Sequence, residues 1–270
     1  MIKLISENFS LNLDFNGGFI GTKIKANVLS YGTDKPFLNC WVQQKSQTVT
    51  AVLCKYENTF FITSSEQADI YEITEFVFAV GFDTIQADVD LLQFKEFKLL
   101  KEYCVLNRKC GETFSQNIST VVPPDRVNGT VLKAVYNILS PCENEDIDIS
   151  DFTGWYADVS HRIRHNTAAV FLKETVEYSL NKCNEQNNFC AAAVISHIWG
   201  NEAVLSGIAV KDEYRSLNIG SKLLEDVISY GSGKKYKTLY TACSKNTLGF
   251  YIKNGFEKMG DIGIFTSKKK

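Results

Sequence analysis

Between positions 203 and 228 the spacing of the apolar residues changes once, from a continuous run to helical spacing. Residues 203–210 form a nearly continuous apolar run bounded by charged residues, which is the pattern of a buried central strand. After a short polar stretch, apolar residues recur on one face at helical spacing: Ile219, Leu223, Leu224, Val227 and Ile228. The pattern therefore predicts a strand, a tight turn at "RSLNIG", and a helix that begins near Leu217 or Asn218.

This strand, turn and helix together predict an anion site. The first N–H groups of a helix have no partner within the helix, and the helix dipole places partial positive charge at the same end. Phosphate is the usual ligand of such a helix N-terminus. The sequence therefore indicates a phosphate-binding turn between the strand and the helix.

Patterns of the same kind predict further elements in the second half of the chain. "GTVLKAVYNILS" reads as a helix that is stopped by Pro141, and residues 175–188 as a helical or loop insertion. Strands are predicted at "TAAVFLKE", "FCAAAVISHIW" and "KTLYTAC". The segment "NTLGFYIKNGFEKMGD" predicts a short helix, a glycine turn and a last strand. These elements follow one another in the order of an α/β domain.

The first 120 residues predict a smaller α+β unit. Three short strands, "FLNCWVQQ", "TVTAVLCKY" and "TFFITSS", precede a helix whose apolar residues are Ile70, Ile73, Phe76 and Val77. The segment Ser119–Gly129 contains two of the four prolines and an Asn-Gly pair, which marks a boundary. We therefore expect two domains, residues 1–120 and 121–270, with the recognisable motifs in the second.

Composition and charge narrow the class of protein. An apolar fraction of 44% and a charged fraction of 22% are typical of a soluble globular chain. The net charge is −2 and basic residues cluster only in the last three positions, which argues against a nucleic-acid partner. No signal peptide and no run of membrane-spanning length occurs, and the eight scattered cysteines contain no Cys-x-x-Cys pair. We expect a cytoplasmic protein with no membrane partner and no metal.

The stretch from Cys142 to Ser160 is interpreted as an acidic loop. No Lys or Arg occurs between Lys133 and Arg162, and six carboxylates fall in the stretch: Glu143, Glu145, Asp146, Asp148, Asp151 and Asp158. Such a loop would attract a cationic substrate. The alternative, a loop that is merely solvated, stays open.

Three segments resemble the GNAT superfamily of acyl-CoA-dependent N-acyltransferases. "LSGIAVKDEYRSLNIGSKLL" resembles its cofactor motif, in which a strand is followed by Arg-x-x-Gly-x-Gly and a helix, "KTLYTAC" the next strand, and "FYIKNGF" its Tyr-x-Lys-x-Gly-Phe segment. The resemblance covers roughly residues 121–270, and "SHRIRH" is similar to a two-domain bacterial subgroup. It implies an α/β fold with a mixed, twisted sheet flanked by helices on both faces. The preceding smaller α+β domain is then interpreted as a reduced GNAT-like unit.

The resemblance also implies an activity and a site. Acetyl-CoA would be the co-substrate, and its acetyl group would pass to a primary amine of a small molecule or peptide by direct attack on the thioester. The backbone of Ile208, Ala209 and Val210 would hold the pantetheine arm and the acyl carbonyl. The remaining cofactor contacts implied are Arg215, Ser216, Leu217, Asn218, Ile219, Gly220 and Asn246. Tyr251 would be the general acid that protonates the leaving thiolate.

Some features leave alternatives open. Asn218 stands where the family has its first glycine; asparagine tolerates positive φ, so we expect the turn to form. Asn246 lies closer to Tyr251 than the family's usual asparagine. Arg215 could instead form a surface salt bridge, and Tyr251 could be a core residue. The candidate general bases are Asp158, Glu202, Asp212, His161 and His197.

Two functions of different class follow. The first is an N-acetyltransferase, and the second is a non-catalytic acyl-CoA-binding or scaffolding relative. Tyr251 favours the first, because a protein that only binds the cofactor has no need of an acid. The first domain is expected to shape the acceptor cleft or an oligomer contact, so a homodimer is also open. His161 and His165, four residues apart, could share a helix face as metal pairs do, but hydrogen bonding is the preferred interpretation.

Overall fold

The computed structural model describes residues 1–5, 18–33, 35–89, 96–111, 118, 120–141, 151–174 and 189–268. The described chain contains six α-helices: α1 (Gly18–Tyr31), α2 (Ile70–Val80), α3 (Gly129–Leu139), α4 (Phe152–Arg164), α5 (Ile219–Gly233) and α6 (Leu248–Lys253). Its strands in the first part are β1 (Ile2–Leu4), β2 (Leu38–Lys45), β3 (Thr48–Tyr56), β4 (Thr59–Ser64), β5 (Thr84–Asp88) and β6 (Phe97–Lys109). Those in the second part are β7 (Ala169–Glu174), β8 (Phe189–Trp199), β9 (Glu202–Val210), β10 (Thr238–Cys243) and β11 (Glu257–Ser267).

All the described strands belong to one 11-stranded mixed sheet in the order β1-β2-β3-β4-β5-β11-β6-β10-β9-β8-β7. Strand β6, from the first part of the chain, lies between β10 and β11 of the second and is antiparallel to both. Strand β11 in turn lies between β5 and β6. The two parts of the chain therefore exchange their last strands at the centre of the sheet.

The two parts also repeat one arrangement. In the first, three antiparallel strands lead into α2 and then into β5, which runs parallel to β4. In the second, three antiparallel strands lead into α5 and then into β10, which runs parallel to β9. The expectation of a mixed sheet preceded by a smaller unit of related design is confirmed.

Helices cover both faces of the sheet. Alternation along β3 shows this directly, because Val52 and Cys54 pack in the cluster of α1 whereas Ala51 and Leu53 pack in the cluster of α2. On the second part, α5 packs on the face opposite to α3 and α4. In the described part of the chain, no helix combines the length and apolar character needed to cross a membrane.

The expected acidic loop from Cys142 to Ser160 is wrong for its second part, where α4 begins at Phe152. Asp151 caps this helix, since its carboxylate accepts the N–H groups of Thr153 and Gly154 at 2.9 and 3.0 Å. Its buried residues are Trp155, Val159, Arg162 and Ile163. The remainder of the stretch, residues 142–150, lies outside the described residues, as does the insertion at 175–188.

Candidate functional site

The centre of the site is the place where the parallel strands β9 and β10 separate. They pair from Glu202 opposite Thr238 to Leu205 opposite Thr241. Strand β9 then continues to Val210, paired with β8 alone among the described strands, and β10 ends at Cys243. At this last pair the Thr241 hydroxyl donates a hydrogen bond to the Leu205 carbonyl at 2.9 Å. Backbone groups of β9 on the β10 side therefore face open space.

A cavity of about 1090 Å³ occupies this space. Its lining includes these cofactor and acid residues expected from the sequence: Ile208, Ala209, Val210, Arg215, Ser216, Asn218, Ile219, Gly220, Asn246 and Tyr251. Leu217 is 61% exposed and lies outside the lining. The structure thus brings the residues of three separate sequence segments to one cavity, while their roles stay predictions.

Other lining residues were missed by the sequence analysis. Ser206, Ala242, Cys243 and Ser244 belong to the separating ends of the two strands, and Phe250 and Lys253 belong to α6. The strand ends could not be found because the separation of two parallel strands has no local sequence pattern. Lys253 could have been found, since it is the lysine of "FYIKNGF".

The turn before α5 depends on two residues in the left-handed region. Ser216 has φ 65° and Asn218 has φ 60° with ψ 16°. Asparagine occupies this region more readily than other non-glycine residues because its short polar side chain can bond locally. The expectation that the turn forms without the family's first glycine is confirmed.

The N-terminus of α5 differs from those of α2, α3 and α4. In those three helices a side chain of Asp69, Asn128 or Asp151 accepts a first-turn N–H group. At α5 no described side chain does so, and its first turn contains no acidic residue. Its first N–H groups and the positive end of its dipole are therefore available to an anion in the cavity.

Arg215 lies at the edge of this anion site. Its Nη2 is 2.8 Å from Asp212 Oδ1, and its Nε donates to the Val210 carbonyl at 3.3 Å. The side chains of Arg215 and Asp212 are 58% and 85% exposed, so this ion pair is worth little. The salt bridge expected as the alternative is present, and it leaves the guanidinium beside the cavity.

Tyr251 lies on α6, lines the cavity and is 6% exposed. Its ring packs against Phe250 and Phe256, with centroids 5.2 and 5.4 Å away. The side chain is thus both a core residue and a cavity residue, which combines the two alternatives considered from the sequence. Fixed packing would hold the phenol in one orientation.

Four of the five candidate bases are engaged away from the cavity lining. Asp158 accepts from Tyr31, from Tyr56 at 3.0 Å and from Arg162 Nε at 2.9 Å. Burial, with the Asp158 carboxylate nearby, raises the pKa of both tyrosines, so they remain donors.

The other three are held in a similar way. Glu202 accepts from Thr22 at 3.0 Å and from Tyr240 at 3.1 Å. Asp212 pairs with Arg215, and His161 Nε2 lies 2.7 Å from the Ser30 carbonyl oxygen and stacks beside His165. The fifth, His197, is connected to the cavity through two serines.

The first part of the chain has a smaller cleft at the corresponding place. Strands β4 and β5 pair only from Thr59 opposite Thr84 to Phe61 opposite Gln86, and a cavity of about 560 Å³ lies beyond. Its lining contains three carboxylates: Glu66, Asp88 and Asp261. The adjacent N-terminus of α2 is occupied by the carboxylate of Asp69, its N-cap residue. This cleft lacks the features that suit a phosphate.

Comparisons with known proteins concern the second part of the chain and the fold. The acetyltransferase (GNAT) family model matches residues 132–256. No curated protein sequence matches the chain significantly. A solved tandem GNAT protein from the clavulanic acid biosynthesis pathway superposes with a TM-score of 0.58 at 12% identity, over 99% of this chain and 98% of that one.

Two further solved structures share the fold. A GCN5-related N-acetyltransferase from Kribbella flavida has a TM-score of 0.55 at 10% identity and covers 94% of this chain and 97% of its own. Saccharomyces cerevisiae N-myristoyltransferase with bound myristoyl-CoA has a TM-score of 0.50 at 9% identity, over 92% and 73%. Residues 132–256 thus resemble the acetyltransferase (GNAT) family, and the chain as a whole shares the fold of a solved tandem GNAT protein.

Proposed function

We propose that this protein is an acetyl-CoA-dependent N-acetyltransferase that acts on a primary amine of a small molecule or peptide. One observation carries the proposal: the uncapped N-terminus of α5 and the side chain of Tyr251 line the same cavity between β9 and β10. An anion site and an acid in one cavity suit a phosphate-bearing thioester. The GNAT family acts in general by acyl-CoA-dependent acetyl transfer, which supports the same assignment.

Each part of acetyl-CoA can be assigned to a part of the cavity. The pyrophosphate would lie against the N–H groups of Ile219 and Gly220, with Arg215 at its edge. The pantetheine arm would bond to the backbone of residues 208–210, which lacks a β10 partner in the described sheet. The thioester would then lie in the cavity within reach of Tyr251.

The reaction follows from this placement. The amine nitrogen attacks the thioester carbonyl carbon and forms a tetrahedral intermediate. The C–S bond then breaks, the thiolate takes the phenolic proton of Tyr251, and the nitrogen releases its extra proton to solvent. Tyr251 regains a proton from solvent before the next turnover.

The proposal also covers the division of the chain into two domains at residue 120 and the cellular location of the protein. The first part contributes β6 beside β10 and packs α1 against the cluster that contains Val204 and Tyr240. We assign it the role of wall and support for the acceptor cleft, or of a contact in a homodimer. A cytoplasmic location is supported by thiols such as that of Cys190, which packs in the apolar core.

The test combines binding with turnover. Acetyl-CoA is titrated into the protein, and a panel of primary amines is then assayed for the release of CoA thiol. Binding together with amine-dependent thiol release supports the acetyltransferase. Binding with no release from any amine supports the non-catalytic alternative, and the absence of binding at millimolar acetyl-CoA overturns both.

Substitution of Asn218 tests the turn. Because a β-branched residue is strained in the left-handed region, by about 1–2 kcal/mol, Asn218→Val should weaken acetyl-CoA binding by roughly tenfold. Asn218→Gly, the matched control, should bind as tightly as the wild type, since glycine adopts φ 60° without strain. Equal affinities of the two variants would show that the turn geometry plays no part in binding.

The stoichiometry of binding tests the difference between the two clefts. Calorimetric titration should give one acetyl-CoA per chain, because the carboxylates of Glu66, Asp88 and Asp261 and the self-capped α2 repel phosphate in the first part. Glu72 places a further carboxylate in the first turn of α2. Two sites of similar affinity would contradict this account.

A further inference from the structure

Two serines fall at an irregularity where β8 meets β9 beside the cavity. Val194 lies opposite Gly207, Ile195 opposite Leu205, and His197 opposite Val204. Ser206 and Ser196 are thus skipped by the pairing, each on its own strand. A bulge of this kind turns a side chain away from the regular alternation of a strand, and bulges are frequent next to active sites.

These serines connect the cavity to a buried histidine. Ser206 lines the cavity, and its Oγ is hydrogen-bonded to Ser196 Oγ. Ser196 Oγ is in turn 2.5 Å from His197 Nδ1. Both Ser196 and His197 are buried, so the chain of hydroxyls runs from the cavity wall into the protein. None of the steps of the proposed reaction described above uses it.

The surroundings of His197 keep its ring neutral. Burial lowers its pKa well below the ordinary value, and the positive charges of Arg162 on α4 and Lys23 on α1 lower it further. Both charges are held in place: Arg162 Nε bonds to Asp158, and Lys23 Nζ donates to Gln86 Oε1 at 3.1 Å. A neutral imidazole has one donor and one acceptor nitrogen.

The direction of the hydrogen bonds follows from the relative strength of the acceptors. An imidazole lone pair is a stronger acceptor than a hydroxyl oxygen, as in the pairing of serine with histidine in hydrolases. Ser196 therefore donates to His197 Nδ1, and Ser206 donates to Ser196. The Ser206 oxygen then has no hydrogen of its own to offer the cavity and presents lone pairs to it.

We propose that Ser206 is the acceptor of a hydrogen bond from the attacking amine, and that Ser196 and His197 are positioning residues that fix this direction. The proposal rests on the acetyltransferase function proposed above. It gives the cavity a contact for the N–H of a neutral primary amine on the β8 side, separate from the phosphate site at α5. An amine that donates one hydrogen to Ser206 keeps its lone pair for the thioester carbon.

The direction of the hydrogen bonds from Ser206 through Ser196 to His197 is tested first, by a measurement that needs no enzymatic activity. The chain contains three histidines, so the ring resonances of His197 in the 15N-histidine-labelled protein are assigned by their loss in His197→Asn. We expect a neutral ring at pH 7 with the proton on Nε2 and none on Nδ1. A protonated Nδ1, in either the neutral or the charged ring, overturns the proposal whether or not the protein is an acetyltransferase.

Kinetics test the contact, with methylamine as the probe amine. Ser206→Ala should raise the KM for methylamine by roughly threefold to tenfold, the worth of one hydrogen bond, with the KM for acetyl-CoA unchanged. Ser206→Thr keeps the hydroxyl and should stay within about twofold of the wild type. A change in the KM for acetyl-CoA alone would overturn the assignment of Ser206 to the amine.

Two variants of His197 distinguish a positioning role of the ring from a role in taking up a proton. The side-chain carbonyl of asparagine can accept the Ser196 hydrogen in place of Nδ1, whereas phenylalanine cannot. His197→Asn should therefore behave nearly as the wild type, and His197→Phe as Ser206→Ala. Loss of activity in both variants, in proteins whose NMR spectra are otherwise unchanged, would contradict the positioning role. Absence of acetyl-CoA binding by the wild type would reject the proposed function instead.

Discussion

Residues 121–270 expressed alone should fail to form a stable fold. This part lacks β6, so β10 loses its antiparallel neighbour over Thr238–Cys243, and β11 loses both β5 and β6. The apolar residues Val105 and Leu106 of β6 are also removed from two of the cores. Unpaired central strands with an apolar face aggregate. We expect an insoluble product, or a soluble one with no cooperative thermal transition.

The matched control supplies the missing strand in a separate chain. Residues 1–120 and 121–270 produced together should associate, because each part contributes a strand to the centre of the other's sheet. The complex should unfold cooperatively and bind acetyl-CoA. A monomeric 121–270 fragment that unfolds cooperatively near the temperature of the whole chain would contradict the exchange of strands.

Tyr251→Phe should lower kcat by about a hundredfold or more, the usual contribution of a general acid. Phenylalanine keeps the ring contacts with Phe250 and Phe256, so the packing of α6 and the affinity for acetyl-CoA should not change. The substitution removes the hydroxyl that would supply the proton to the leaving thiolate. Steady-state kinetics with the best amine of the panel measure the effect.

Tyr240→Phe is the control for this variant. Tyr240 lies on the neighbouring β10, and its hydroxyl bonds to Glu202 at 3.1 Å, away from the cavity lining. Its removal should change kcat by less than about threefold, because a single hydrogen bond outside the site is lost. A Tyr251→Phe variant with the kcat of the wild type would remove Tyr251 from the chemistry and leave it a packing role.

The elements predicted from the sequence are those whose pattern is local. The apolar run of β9 and the helical spacing of α5 were sufficient to place the turn between them, and α5 begins at Ile219, next to the expected Asn218. Strands β2, β3, β4, β8 and β10 were found for the same reason. In each of these segments the spacing of apolar residues is set by the segment itself and does not depend on which element packs against it.

The elements that were missed depend on partners elsewhere in the chain. Residues 98–102 of β6 are exposed, so the strand shows no apolar alternation there. The mostly polar sequence of α4 hides a buried face of only Trp155, Val159, Arg162 and Ile163. The exchange of β6 and β11 pairs residues far apart in the chain, such as Asn107 with Glu257, and no local pattern encodes it.

The residues of the site also divide into those found from a local motif and those that depend on distant parts of the chain. Arg215, Gly220 and Tyr251 were placed by motif, since the family motif specifies their backbone environment. Ser206 was not, because its direction depends on a bulge opposite Ser196. What the sequence could not supply was therefore the geometry between strands.

The most direct test of the cofactor site is acetyl-CoA binding by variants of Gly220. A Cβ at this position would lie 3.5 Å from the side chains of Phe250 and Val210, an ordinary contact, so Gly220→Ala should bind acetyl-CoA within about threefold of the wild type. The longer side chain of Gly220→Leu has to enter the cavity where the pyrophosphate would approach the first turn of α5. Calorimetry should show its affinity reduced by about a hundredfold, with cooperative unfolding retained. Binding by Gly220→Leu as tight as that of the wild type would place the cofactor elsewhere and contradict the account.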